Sequence, residues 1–238
     1  MKKLRYIVPN LITSMNLIFG VAAIVSAFSG HFETAFWMIV AAAVCDFCDG
    51  FAARLLHAYS EFGKQLDSLS DLISFGLAPA VLVFCYLQQQ ETGGLPEWFV
   101  YHAFGLALFS AYRLARFNTR PPSDDFQGLA VPASALYVIS LIVFGNRLPF
   151  GLPDIILRVP VIHIQILMIN LLMISNLRMF SLKFRNLRLK ENVIRYVFAL
   201  STIILLLIFR AAGLWLVMVF YIILSAATAI TNKTKIPS

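Results

Sequence analysis

Long apolar runs separated by short polar stretches repeat from one end of this chain to the other. A helix needs about 20 mostly apolar residues to cross the hydrocarbon of a bilayer. Runs that meet or approach that length lie at 10–27, 33–56, 67–86, 97–116, 131–144, 159–176, 194–209 and 214–230. The expectation is an all-α integral membrane protein, a polytopic bundle of about eight transmembrane helices. It is read as one membrane domain over 1–238, with no soluble domain, internal repeat or low-complexity tract. The fifth run is short, and 150–158 is not assigned to any helix.

Composition agrees with this pattern. The chain is 60% hydrophobic and 13% charged, with a mean hydropathy of +0.81. A soluble fold cannot cover that much apolar surface with polar groups, so lipid must be part of its solvent. The net charge of +7 then describes topology. With the N-terminus in the cytoplasm and the runs alternating, only Arg147, Arg158 and Arg210 of the 19 basic residues fall outside. The other 16 fall inside, which predicts that both termini are cytoplasmic. Nucleic acid is a poor partner, because the basic residues sit between apolar runs and not on one soluble face. The basic start at Lys2 and Lys3 leads into a run too long for a cleaved signal, and is read as the first membrane helix. Residues 178–195, basic with Phe184, Leu187 and Leu189 interleaved, read either as an interfacial amphipathic segment or as a plain cytoplasmic loop. Cys45, Cys48 and Cys85 all lie in apolar stretches, so a disulfide framework is not expected.

Charge inside the apolar runs points to chemistry. Carboxylates within membrane helices are costly and mark function by default. Asp46 and Asp49 lie near the end of the second run, Asp67 and Asp71 near the start of the third. On a helix, Asp46, Asp49, Gly50 and Ala53 share one face, as do Gly63, Asp67 and Asp71 on the next. A short connection makes these helices antiparallel neighbours, so four carboxylates can converge on one point. Four such charges repel one another, and something cationic must compensate. Arg54 is one candidate. A hard divalent cation is the better one, because all-oxygen ligation suits Mg²⁺ or Mn²⁺. Two glycines beside the carboxylates suit a phosphate arriving close to backbone. Together these features read as metal-assisted phosphoryl transfer. Polar glue between helices is the bland alternative, and four aspartates exceed what glue requires.

The spacing D-x2-D-G-x2-A-R-x8-G-x3-D-x3-D, met by Asp46, Asp49, Gly50, Ala53, Arg54, Gly63, Asp67 and Asp71, resembles the signature of the CDP-alcohol phosphotransferase family. The resemblance implies two bound ions, Mg²⁺ or Mn²⁺. Asp46 and Asp67 would bridge them, Asp49 would complete one site and Asp71 the other. Asp71 would also be the general base. Gly50, Arg54, Ser60 and Gly63 would hold the CDP part of a CDP-linked lipid. Pro9-Asn10-Leu11-Ile12-Thr13 is similar to the family's first-helix entry, which places Asn10 and Thr13 near the nucleotide; as sequence alone, Pro9-Asn10 is equally a helix start. The core motif covers 46–71, and 159–238 would be additional C-terminal transmembrane helices. The family also implies a homodimer.

Three stretches resemble the phosphatidylserine synthase branch: Ser74–Ala80, Arg113-Leu114-Ala115-Arg116-Phe117-Asn118, and Phe126–Ala133, where the branch more often has proline in place of Ala130. The expected reaction joins CDP-diacylglycerol to L-serine and releases CMP, on the cytoplasmic side of the cell membrane. Arg113 and Arg116, with Asn118, are candidates to bind the serine acceptor, since a guanidinium can clamp a carboxylate. Both arginines could equally serve topology. Other readings are a different acceptor (glycerol 3-phosphate, inositol or choline) or, from another class, a divalent-cation transporter. His31, His57, His102 and His163 show no ligand spacing and are expected in bland interfacial or loop roles.

Overall fold

The computed structural model describes residues 4–91, 94–119, 127–177, 179 and 189–233. The described residues are overwhelmingly helical and contain no strand. Helix α1 (Leu4–Phe28) and α2 (Phe32–Leu55) form a tight hairpin. Helix α3 (Glu61–Asp71) continues through a π-turn (Leu72–Leu77) into α4 (Ala78–Gln88). A 3-10 segment (Glu97–Phe104) leads into α5 (Gly105–Thr119), followed by α6 (Val131–Phe144). The short α7 (Pro153–Ile156) fills the stretch left unassigned by hydropathy, and α8 (Val159–Ile174) follows. Helices α9 (Leu189–Phe209) and α10 (Gly213–Lys233) close the chain. Each predicted run corresponds to a helical segment. The basic segment 178–195, read either as interfacial or as a plain cytoplasmic loop, lies mostly outside the described residues.

The start of the third run differs from the hydropathy reading for a local reason, and the break between the last two runs has a local cause as well. The third spanning helix begins at Glu61, not at Asp67, because the Ser60 hydroxyl caps it by accepting the Gly63 N–H at 3.0 Å. Its first turns are polar, so an apolar window misses them. Between α9 and α10 the chain reverses. Arg210 adopts a left-handed φ of 52°, and a Cβ on Gly213 would stand 2.4 Å from the Leu205 carbonyl oxygen. Phe198 meets Phe220 and Tyr221 at ring distances of 5.9 Å across this hairpin. The apolar stretch 192–229 therefore forms two helices, as the two separate runs at 194–209 and 214–230 predicted.

The third long helix is the central one. Two thirds of its apolar window is buried, against about a quarter for the other long helices, whose outward faces are left for lipid. Helix α6 is buried along most of its length and packs on α2, α4 and α10. The core around them includes Phe36, Ile39, Phe75, Leu82, Ile139 and Phe144. Buried polar side chains tie helices together: Tyr137 of α6 donates to Gln165 of α8 at 2.6 Å, and Gln165 donates to the Ile156 carbonyl at 2.9 Å. The cysteines are free thiols.

The buried face of α1 repeats at alternating steps of four and three: Pro9, Thr13, Asn16, Gly20, Ala23 and Ala27. Small residues let neighbouring helices approach closely. A Cβ on Gly20 would lie 2.3 Å from Ser74 Oγ and 2.8 Å from Ser74 Cα. On the far side of the π-turn, a Cβ on Gly76 would lie 3.0 Å from the Ser110 Cβ of α5. The π-turn itself follows from Pro79, which has no N–H to offer the carbonyl four residues back. Ala78 N–H bonds the Ile73 carbonyl five residues back. This wide turn is held between α1 and α5, so three helices are locked in register just above Asp71.

Candidate functional site

The predicted convergence of carboxylates is present. One oxygen each from Asp46, Asp49 and Asp67 lies within 4.8 Å of the others. Asp71 is buried close enough to feel the charges of all three. At that separation each bare pair would repel by roughly 3.5 kcal/mol at an effective dielectric of about 20. The donor set is all oxygen, and Asp67 Oδ1 is a buried acceptor with no hydrogen-bond partner. Both observations fit a hard divalent cation.

Helix α1 packs against both α2 and α3 and supplies one donor to each carboxylate pair. The Thr13 hydroxyl donates to Asp49 Oδ2 at 2.5 Å and also lies 3.0 Å from the Pro9 carbonyl. Asn16 Nδ2 donates to Asp71 Oδ1 at 3.2 Å. Asp46 and Asp67 receive no side-chain hydrogen bond from the described residues, which leaves them the freest to share a ligand. Thr13 was expected near a nucleotide; in the structure its hydroxyl faces a carboxylate. Asn16 was not singled out from the sequence. Its signal was available, since it is the second polar member of an otherwise small-residue stripe, three residues after Thr13.

Beside the carboxylates, Gly50 has open space: a Cβ there would meet nothing within 4 Å. A ligand could approach this backbone directly. Asn10, Ser60 and Gly63 are brought together, with Asn10 Oδ1 and Ser60 Oγ 3.1 and 3.0 Å from where a Gly63 Cβ would be. Arg54 is exposed near the end of α2 and makes no ion pair among the described residues.

The two candidate acceptor arginines are used differently. Arg113 is buried within electrostatic reach of Asp71 and of Tyr221 on α10. It lies one turn from Ser110, whose contact with Gly76 fixes the register. Arg116 instead closes the end of α8, donating to the Ile174 carbonyl at 2.7 Å and to Asn176 Oδ1. Gly128 and Leu129 add their N–H groups to the Leu177 and Leu172 carbonyls. Gly128 has a φ of 73°, and a side chain there would run into the Met173 carbonyl at 2.4 Å. Two of the branch-like stretches thus meet at the α8 C-terminus, where cations and donors satisfy orphan carbonyls. Asn118 donates to Ser68 Oγ at 2.8 Å, and Lys64 donates to the Asn118 carbonyl at 3.3 Å, tying α5 to α3.

The histidines are not all isolated. His102 Nδ1 and His163 Nδ1 lie 2.8 Å apart, with Phe99 stacked on His102 and edge-on to His163. Residues so far apart in sequence give no spacing signal, which is why the pair was not expected.

Comparison with known proteins agrees with this geometry. The family model described as CDP-alcohol phosphatidyltransferase matches residues 6–173. A Helicobacter pylori protein named CDP-diacylglycerol–serine O-phosphatidyltransferase is 34% identical over 154 residues, 61% of each chain. A Bacillus subtilis protein of the same name is 32% identical, over 56% of this chain and 74% of its own. An archaetidylserine synthase of Methanothermobacter thermautotrophicus is 29% identical over 66% of each chain. The chain spans 61% of the length of the Helicobacter relative it matches.

Proposed function

The chain belongs to the CDP-alcohol phosphatidyltransferase family, and from that premise we propose that it transfers the phosphatidyl group of CDP-diacylglycerol to L-serine, releasing CMP. The observation that carries the serine reading is the burial of Arg113 within electrostatic reach of Asp71. A buried guanidinium within electrostatic reach of the base suits an acceptor that brings its own carboxylate. The names of the relatives point to the same acceptor.

Asp46, Asp49, Asp67 and Asp71 would hold two divalent ions, Mg²⁺ or Mn²⁺, which would neutralise charge on the pyrophosphate. The CDP moiety lies over Gly50, with Asn10, Ser60 and Gly63 at one end and Arg54 free to swing onto phosphate. Thr13 holds Asp49 in place. The serine hydroxyl attacks the lipid-side phosphorus, and Asp71 takes its proton. The bond from that phosphorus to the bridging oxygen breaks, and CMP leaves with the electron pair. Arg113 orients the serine carboxylate. Arg116 and Asn118 act at one remove, by fixing α8 and α5.

The site faces the cytoplasm of a multi-pass protein in the cell membrane, where CDP-linked lipid and serine meet, and the acyl chains remain in the leaflet. The basic asymmetry of the chain supports this side. The chain is one membrane domain over 1–238 with 159–238 as added helices, and it works as a homodimer. The test of the base is Asp71→Asn. CMP release should fall by on the order of 10²- to 10⁴-fold while CDP-diacylglycerol still binds. A variant with near-parental rate at saturating metal removes Asp71 from this role.

A further inference from the structure

We infer that Asn16 is the positioning residue that orients the Asp71 carboxylate for the reaction, an inference that rests on the transferase reading above. Asn16 is completely buried on the packed face of α1. Its side-chain Nδ2 donates to Asp71 Oδ1 at 3.2 Å. Its own backbone carbonyl accepts the Ser74 hydroxyl at 2.9 Å, one turn beyond Asp71 on the helix that carries it. The residue is therefore tied to that helix at two points, on either side of the start of the π-turn. Gly20, one turn further along α1, fits directly against Ser74 and sets the distance between the two helices.

Packing does not account for an asparagine here. The Asn16 Oδ1 is a buried acceptor with no hydrogen-bond partner, and an unsatisfied polar atom of this kind costs about 1–3 kcal/mol. The neighbouring stripe positions Gly20, Ala23 and Ala27 show that small apolar residues fit this face. What the amide alone supplies is a donor to one oxygen of Asp71, which leaves the other oxygen for the reacting hydroxyl. The same helix treats the other carboxylate pair alike, through Thr13 and Asp49. Asp46 and Asp67 are left without such a donor among the described residues. The first helix thus fixes the second aspartate of each pair and leaves the first of α3 and the first of α2 to a shared ligand.

The experiment is a double-mutant cycle in purified full-length protein, with CMP release measured at saturating Mn²⁺. Asn16→Leu keeps the branched shape and removes the donor; Asn16→Ala carries the same comparison if the first variant does not fold. The expected result is a fall in kcat of about tenfold or more, because misplacement of a reacting group by even 1 Å can cost about 10²-fold. KM for L-serine and for CDP-diacylglycerol should each stay within about threefold. In the Asp71→Asn background the same substitution should change the residual rate by less than about twofold. A folded variant with parental kcat overturns the inference, as does an equal loss with and without the Asp71 carboxylate, which a merely structural residue would give. Failure of the transferase reading is distinct: the parent protein would then release no CMP.

Discussion

Replacing Gly20 with alanine tests how tightly the first helix governs a site more than a turn away. The added Cβ would stand 2.8 Å from Ser74 Cα and 2.3 Å from Ser74 Oγ, where ordinary contacts begin at 3.4 Å. The backbone clash requires α1 to retreat by about 0.6 Å, and the hydroxyl clash by about 1.1 Å unless Ser74 rotates. Rotation breaks the Ser74 bond to the Asn16 carbonyl. A retreat of that size lengthens the 3.2 Å bond from Asn16 to Asp71 beyond hydrogen-bonding distance. Overpacking costs about 1–3 kcal/mol, and the better helix propensity of alanine returns about 1 kcal/mol. The net loss of stability should therefore be small, about 0–2 kcal/mol. Activity should suffer more, by about 10- to 100-fold in kcat. The assay is CMP release from CDP-diacylglycerol with L-serine, alongside a thermal melt in detergent. A folded Gly20→Ala protein with kcat within twofold of the parent refutes the claim that this contact sets the register of the site.

Three other outcomes follow from the same geometry. Asp67→Asn should weaken Mn²⁺ binding measured by electron paramagnetic resonance, with activity partly restored by excess Mn²⁺; unchanged binding removes Asp67 from the metal site. Arg113→Ala should raise KM for serine with CDP-diacylglycerol binding intact, whereas Arg116→Ala should lower the melting temperature, since hydrogen bonds to a charged group contribute about 1.5–3 kcal/mol. The reverse pattern would exchange their roles. Reporter fusions at position 235 and within the 88–97 connection should report opposite sides of the membrane, and the same side for both contradicts the topology.

The four aspartates were legible because an ionised group inside an apolar run is costly and persists where function needs it. Helix α6 was read with the bounds the structure gives it, since Pro132 opens it and a continuous apolar run fills it. The start of α3 was not, because a capping serine and polar first turns carry no hydropathy signal. The α9–α10 reversal was placed near Arg210, between the two predicted runs, although composition alone reads through it. Arg113 and Arg116 look equivalent in sequence, three residues apart on one helix. Their separation into a buried neighbour of Asp71 and a cap for α8 depends on tertiary contacts with α8 and α10. The partner of Asn16 and the His102–His163 pair were invisible for the same reason, as each contact joins residues more than 50 apart.

The central claim is tested most directly by offering the purified protein CDP-diacylglycerol, Mg²⁺ or Mn²⁺, and one acceptor at a time: L-serine, glycerol 3-phosphate, inositol or choline. Released CMP and the lipid product would be identified by mass spectrometry. The account predicts metal-dependent CMP release with L-serine, matched mole for mole by phosphatidylserine, and little with the other three. Faster turnover with any of those acceptors, or no lipid product with serine, would contradict it.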